Sequence, residues 1–517
     1  MANGSNEQVM ISEKIAPVLV ARTLGAFDLI VIFVGIVLFI TNSASLQGAG
    51  PALYVLWIVS FLTFLITGGF VTAQLGRMFP EEGSLYVWTH KALGPFWGFF
   101  AGFVAWWPGP IVMVLAGTLV VTFSQQVAAF ADKAILTESW QQGLVILGVL
   151  WIGAALSLLR MRLTQNYVNL QFYFYGGAIF VMGLAGLVWL WKGNASANQF
   201  PGELFNPLSS ANTEIFGKTN VLGVHVPAIF TLYSFCVLAL LGIEVPLNLG
   251  VEVKEGEGSI KKYLFWGCVV VMAAYLWTSF GNMVAVPLAE SNPTTGGAQG
   301  VANAFGEWLG VIVALILLWF FLTSSAVYNY SFARLLFVSG LEKRLPHQIG
   351  QVNKNKVPAN AVILQTALAS ILTLVVFVGK LAGNDPNKPY LALLAGVTIV
   401  WCISTALLFL DVFFAERANP TRFEEARRVS KGFLYLCGVV GTLANIAAVL
   451  FIFVGPWNTG LFPTLSEWNT WMVWITAVSV VSGIAIYLIS QRTRKGKSDA
   501  ELLAATQSSM ATGGGGE

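Results

Sequence analysis

Long apolar stretches alternate with short polar ones along the chain, and the apolar stretches have membrane-crossing length. A helix needs about 20 apolar residues to cross ~30 Å of hydrocarbon. Runs of that kind recur near 24–46, 52–76, 97–125, 141–160, 166–191, 227–251, 263–288, 309–339, 359–379, 389–413, 434–455 and 470–490. The pattern predicts an all-α polytopic membrane protein with about twelve transmembrane helices. Two runs are interrupted. In the first, Gly35 and then Thr41-Asn42-Ser43 break the apolar sequence; in the sixth, Gly242-Ile243-Glu244-Val245-Pro246 sets a carboxylate beside a proline. A charged group at bilayer depth costs about 2.5–3.5 kcal/mol on insertion scales and is kept where it has a partner or a water-filled cavity. Pro246 has no N–H and disrupts the turn before it. Interruptions at corresponding places in two halves point to a transporter site, because freed backbone groups need something polar to bind. Spans one and six correspond if the chain is two five-span repeats followed by two extra spans.

Composition agrees with a lipid-embedded chain. Of 517 residues, 56% are hydrophobic and 10% charged, against roughly 25% charged in soluble domains. All 28 Lys and Arg except Lys133, Lys192, Lys218, Lys380 and Lys388 fall in loops on the side that carries the N-terminus. By the positive-inside rule this places both termini in the cytoplasm, for a protein of the plasma (inner) membrane. Residues 1–21 are polar, with no apolar core bounded by a cleavage site, so they read as a cytoplasmic segment and not a cleaved signal. Residues 193–226 read as an extracellular loop. The tail, 492–517, ends in Gly513-Gly514-Gly515-Gly516-Glu517 and reads as disordered. The net charge of +3 follows from topology, and no nucleic-acid partner is expected; the lipid bilayer is the expected surrounding.

Enzyme chemistry finds little support. His90, His225 and His347 are far apart, Cys236, Cys268, Cys402 and Cys437 each lie within an apolar run, and no His or Cys pair has metal-ligand spacing. There is no phosphate-binding GxxxxGK[ST] loop. No cofactor is expected beyond a coupling ion.

Five stretches resemble amino acid, polyamine and organocation permeases: Phe79 to Phe103 (FPEEGSLYVWTHKALGPFWGFFAGF), Leu24 to Asp28, Gly242-Ile243-Glu244 with Glu252, Ser331 to Pro346 and Asn353 to Ala359. They occur in family order. The resemblance implies a five-plus-five inverted-repeat fold, with repeats over 22–192 and 227–415 and two further helices over 416–491. It also implies a substrate held between the unwound parts of spans one and six, so that Gly35, Ile36, Val37, Leu238, Gly242 and Ile243 become candidate substrate-binding residues. A substrate carboxylate would meet N–H groups at a half-helix N-terminus, and its ammonium the freed carbonyls. The implied function is a secondary transporter of amino acids or related amines, working by alternating access through exchange or ion coupling. A transport-inactive amino-acid sensor and a channel are the alternatives from other classes.

The sequence departs from the family pattern in three places. The usual Gly-Ser-Gly of span one is replaced by Ile36-Val37-Leu38-Phe39 after Gly35, which resembles the branch of glutamate and GABA exchangers. Leu238 stands where many members carry a gating aromatic, which disfavours an arginine-like substrate. A zwitterionic or acidic amino acid exchanged for a related amine is the expected cargo. The fifth span lacks the lysine that many members place at a cation position. Leu322-Thr323-Ser324-Ser325-Ala326 resembles the hydroxyl pair of the sodium-coupled neurotransmitter symporters, so Thr323 and Ser324, with Gly35 opposite, form a candidate sodium site. Hydroxyls that bond back onto their own helix are the alternative. Glu244 is the candidate proton-coupling residue, or else a hydrogen-bonded group that pins the unwound segment. Asp28 reads as a cap or ion-pair partner near the membrane face, and Arg334 as a residue snorkelling to the headgroups or an inner gate to Glu252. Trp106, Trp107, Pro108 and Pro110 either line the pocket or pack. Glu255 and Glu257 with Lys254, Lys261 and Lys262 form a solvated loop. The oligomeric state is left open, a homodimer being one option.

Overall fold

The computed structural model describes residues 10–198, 202–288, 292–379, 387–458 and 460–494. The disordered tail expected beyond Gln491 lies almost wholly outside the described residues. Among those described, eleven helices are long and apolar enough to cross a membrane. They are span 1 (Ala26–Ser45), span 2 (Ala52–Met78), span 3 (Pro95–Ala129), span 4 (Ser139–Ser157), span 5 (Met161–Trp191), span 7 (Glu257–Ala285), span 8 (Glu307–Leu341), span 9 (Ala359–Val378), span 10 (Lys388–Ala418), span 11 (Lys431–Val454) and span 12 (Leu465–Arg492). The sixth expected span is present in two pieces, Ala228–Leu238 and Val245–Glu252, each too short to cross alone. The chain is an all-α polytopic membrane protein. Its β-structure among the described residues is one antiparallel hairpin, Lys218–Val221 with Val224–Pro227, inside the segment expected as a plain loop. Its two-residue turn, Leu222-Gly223, has both residues at positive φ, which matches the twist of the strands.

The loops sort to two faces. On the near face, which carries the first residues, Thr23 N–H and Leu24 N–H donate to Glu252 O (2.9 and 3.0 Å) and Lys254 N–H donates to Leu24 O. On the far face, Ser45 Oγ donates to Pro293 O and Gln47 Nε2 to Asn282 O and Val286 O. Residues before span 1, expected only as a polar segment, form an amphipathic helix, Ile11–Leu19, that buries Ile11, Ile15 and Ala16. Ser12 fastens it by donating from both N–H and Oγ to Glu342 Oε1 (2.8 and 2.7 Å). Ile11, Ile15 and Ala16 have helical spacing, but over too short a stretch to stand out against the membrane-length runs.

Spans 1, 3, 6, 8 and 10 form the buried centre, whereas spans 11 and 12 present Leu436, Leu443, Trp474, Val481 and Leu488 outward. Between helices in lipid the hydrophobic effect supplies little attraction, so close approach depends on small residues. Spans 5 and 7 show this: a Cβ on Gly281 would lie 2.1 Å from Met182 O, and one on Gly183 2.2 Å from the Trp277 ring. Gly281→Ala is expected to force the two backbones apart at a cost of about 1–3 kcal/mol, seen as a lowered thermal-unfolding midpoint in detergent. Gly177→Ala, on the same span 5 with nothing within 4 Å of its added Cβ, should leave the midpoint unchanged or slightly raised.

Candidate functional site

Span 1 is helical from Ala26 to Val37, unwinds at Leu38 and Phe39, and resumes at Thr41. Span 6 stops at Leu238 and resumes at Val245. An unwound turn inside the membrane leaves carbonyls without an intrahelical N–H, each costing several kcal/mol in hydrocarbon unless satisfied. Tyrosine hydroxyls from three other spans approach them, Tyr275 placing its single proton between two carbonyls. Tyr328 donates to Ile36 O (2.7 Å), Tyr275 lies within 3.0 Å of Val37 O and 3.2 Å of Ala239 O, and Tyr263 donates to Ile243 O (3.1 Å). Tyr175 donates to Leu38 O (2.6 Å) while accepting from Ile40 N–H (3.2 Å), so one hydroxyl bridges the break.

The two breaks lie against each other. Gly242 has φ +109°, and an added Cβ would meet Ile36 Cγ2 at 2.7 Å and Trp401 Cζ2 at 3.0 Å. Glycine is required there on both counts, conformation and space. Ile36, Val37, Gly242, Ile243 and Leu238 are all buried, so the structure brings the candidate substrate residues into one interior region. Glu244 sits at its centre, 2% exposed. Trp401 of span 10 donates its indole N–H to Oε1 (3.2 Å), while Oε2 has no hydrogen-bond partner. Trp401 also packs edge-on against Phe332 and Tyr328 of span 8, which makes the surroundings of the carboxyl aromatic.

Gly35, Thr323 and Ser324 line one small cavity of about 10 Å³ with Val31, Val168, Gln171, Phe172, Phe320 and Val327, roughly room for a single water-sized occupant. Thr323 Oγ1, Ser324 Oγ and Gln171 Nε2 have no hydrogen-bond partner. The hydroxyls therefore do not bond back onto their own helix. Ser325 of the same run points elsewhere, toward Gly153 of span 4.

Arg334 is fully buried, which corrects the expectation that it snorkels to the headgroups. Its guanidinium pairs with Glu252 and stands 3.4 Å from Glu82 Oε1. Glu82, in the loop after span 2, also accepts from Val251 N–H (3.2 Å). Burial pushes its carboxyl up to about 8, with the charge of Glu252 adding to the effect and that of Arg334 opposing it. Neighbouring Glu81 is raised to about 7, again by burial first and then by Glu13. Asp28 is a cap and an ion-pair partner, accepting from Gly25 N–H (2.8 Å), Arg162 (2.8 Å) and Asn169 (2.7 Å). Trp106 donates to Gln365 Oε1 (2.8 Å) and so ties span 3 to span 9.

Three buried acids escaped sequence reasoning: Glu82, Glu342 and Asp411. Asp411 in span 10 is fully buried, accepts one bond from Thr89 Oγ1 (2.6 Å), and leaves Oδ1 without a partner. The signal that exposed Glu244, an acid inside an apolar run, was equally present at Asp411; no adjacent proline or glycine drew attention to it.

With this geometry in view, comparison with known proteins is decisive for family. The amino acid permease family model matches residues 24–487, and the chain belongs to that family. It is similar to polyamine transporter PUT1 of Oryza sativa subsp. japonica (25% identical over 61% of this chain and 52% of the relative). It is also similar to the probable agmatine/putrescine antiporter AguD of Lactococcus lactis subsp. lactis (24%, 56% and 57%) and to the aromatic amino acid transport protein AroP of Escherichia coli O6:H1 (24%, 89% and 93%). The matches to the plant polyamine transporters span about half of those proteins' length. The family and these relatives are transporters, not enzymes.

Tyr175→Phe removes the hydroxyl that serves Leu38 O and Ile40 N–H, and each backbone group left unpaired costs about 1–3 kcal/mol. A lower thermal midpoint is expected. Tyr173→Phe, an exposed position on the same helix, should show no such drop.

Proposed function

We propose that the chain is a secondary transporter that moves small amine-bearing solutes by alternating access across the plasma (inner) membrane, with both termini cytoplasmic. One observation carries the reading. Two broken spans meet at the same depth around a single buried carboxylate, Glu244, that has a free oxygen. Such an oxygen is a partner for an ammonium group, through a charge-assisted hydrogen bond. The N–H groups available for a substrate carboxylate are fewer than the family pattern implies, since Phe39 N–H donates to Val37 O and Ile40 N–H to Tyr175. An amine or polyamine cargo is therefore favoured over the zwitterionic or acidic amino acid expected from sequence. The names of PUT1 and AguD point the same way.

Contacts join the elements at both faces. Glu252 bonds to the start of span 1 at the near face, and Gln47, Asn282 and Ser43 bond together at the far face. Alternating access then requires each set of contacts to open in turn. Two coupling routes are carried by residues. Glu244 would bind and release a proton, or Thr323 and Ser324 would give Na⁺ the oxygen ligands that hard cations prefer. Their unpartnered hydroxyls around a one-water cavity fit the second route.

Counterflow in proteoliposomes tests the proposal: uptake of labelled putrescine, and of a panel of labelled amino acids, into vesicles loaded with unlabelled solute or left empty. Putrescine uptake only into loaded vesicles is the expected result; uptake confined to amino acids would overturn the amine assignment, and a leak without bound solute the carrier reading. Glu244→Gln should cut putrescine counterflow at least about tenfold, in line with the roughly 1.5–3 kcal/mol of a hydrogen bond to a charged group. If Glu244 is also the coupling group, the active remainder should lose its pH dependence.

Thr323→Ala and Ser324→Ala address sodium. Each should raise the Na⁺ concentration needed for half-maximal uptake about tenfold, the equivalent of ~1.4 kcal/mol. Uptake unaffected by Na⁺ in the unaltered protein would eliminate that route.

A further inference from the structure

The cluster that joins the near face contains an imbalance of charge. Glu82, Glu252 and Arg334 have side chains 0–1% exposed, so two carboxyls share one guanidinium away from water. Among the described residues, nearby charged groups pair with partners outside the cluster. Glu81 feels the charges of Glu13, Lys91 and Arg422, Lys91 itself pairs with Glu13 (2.6 Å), and Asp28 of span 1 pairs with Arg162. Neutral groups also pack beside the cluster. Tyr330 of span 8 donates to Gln165 (3.0 Å), and Asn248 bonds to Ser84 and to Ser331 O. Fully ionised, the cluster would hold a net negative charge in a dry interior, where an uncompensated charge costs several kcal/mol. Two carboxyls beside one cation relieve this by keeping a proton on one of them.

We propose that the Glu82–Arg334–Glu252 clasp holds one proton, shared by its two carboxyls, and gives it up to near-face water when the clasp opens. The proton passes from a carboxylic acid oxygen to water, and the carboxylate left behind is hydrated. The geometry makes this more than local chemistry, because Glu252 holds two elements at once. Its carboxyl pairs with Arg334 of span 8, and its backbone carbonyl accepts from Thr23 and Leu24 at the entry to span 1. Glu82 adds the loop after span 2, through Arg334 and Val251 N–H. Loss of the proton therefore loosens the joint between spans 1, 6 and 8. The proposal rests on the transporter reading only for calling this joint a gate; the proton itself is tested without transport.

The sign follows from linkage. A carboxyl that stands higher in the closed clasp than in open water favours closure fully below the ordinary carboxylate range, and that advantage is lost as pH rises toward about 8, the value to which Glu82 is raised. Each pH unit within that window changes the closed-to-open ratio by up to about tenfold. Hydrogen exchange of the segment containing Thr23 and Leu24, followed by mass spectrometry on the full chain in lipid nanodiscs and corrected for the intrinsic rate, reads this directly. Protection should fall from pH 5 to pH 8 and level off above. Glu82→Gln leaves a balanced Glu252–Arg334 pair and should flatten the profile; Glu252→Gln, which leaves Glu82 with Arg334, should do the same. A flat profile in the unaltered protein, or one that survives both substitutions, would overturn the proposal. Absence of putrescine and amino acid counterflow alongside the expected exchange profile would sink the transporter reading and leave the proton site standing.

Discussion

Every part of the centre depends on one constraint, that a backbone carbonyl released by an unwound turn in lipid must find a donor within the protein. The carbonyls of Ile36, Val37, Leu38, Ala239 and Ile243 find tyrosine hydroxyls of spans 5, 7 and 8. A phenolic hydroxyl suits the task because its ring packs as an apolar body while its tip donates. These bonds fix where spans 5, 7 and 8 stand around spans 1 and 6, and so they position Glu244, Trp401 and the small cavity beside Gly35. They are also exchangeable. A solute able to donate hydrogen bonds could take the place of one hydroxyl without leaving a carbonyl unpaired, which is the energetic condition for a site that opens and closes.

Charge is distributed by the same economy. The acids in the interior each sit beside a different kind of neighbour: Glu244 beside an indole N–H, Asp411 beside a threonine hydroxyl, Glu82 and Glu252 beside a guanidinium. Glu244 lies where the broken spans meet, and the clasp lies where they reach the near face. The two are linked through the short piece Val245–Glu252, whose first residue follows Glu244 and whose last is in the clasp. Small residues do the complementary work between spans 5 and 7, where Gly183 and Gly281 allow the backbones to touch.

Much of this was legible from residue order. Twelve apolar runs and the two interruptions emerged from hydropathy and from Gly35, Gly242, Glu244 and Pro246, because the bilayer imposes a fixed length and punishes any residue that breaks it. The family landmarks located the breaks in the correct spans. What stayed hidden were elements lacking that length signal: the docked helix Ile11–Leu19, the hairpin at 218–227, and the partners of the acids. Arg334 shows why. Its position at the end of a span suits snorkelling as well as the pairing with Glu252, and only the fold decides for the pair and adds Glu82 from the loop after span 2.

The sequence by itself determined that the chain lives in lipid, about how many times it crosses, and where two crossings fail to remain helical. Each of these follows from local composition measured against one external dimension, the thickness of the membrane. Only the tertiary structure decided which hydroxyl meets which carbonyl, that Thr323 and Ser324 face Gly35 with free oxygens, and that two carboxyls share one arginine. Those pairings join residues that stand between 20 and 292 positions apart in the chain, and a hydrogen bond or an ion pair depends on distances of about 3 Å that no linear spacing encodes.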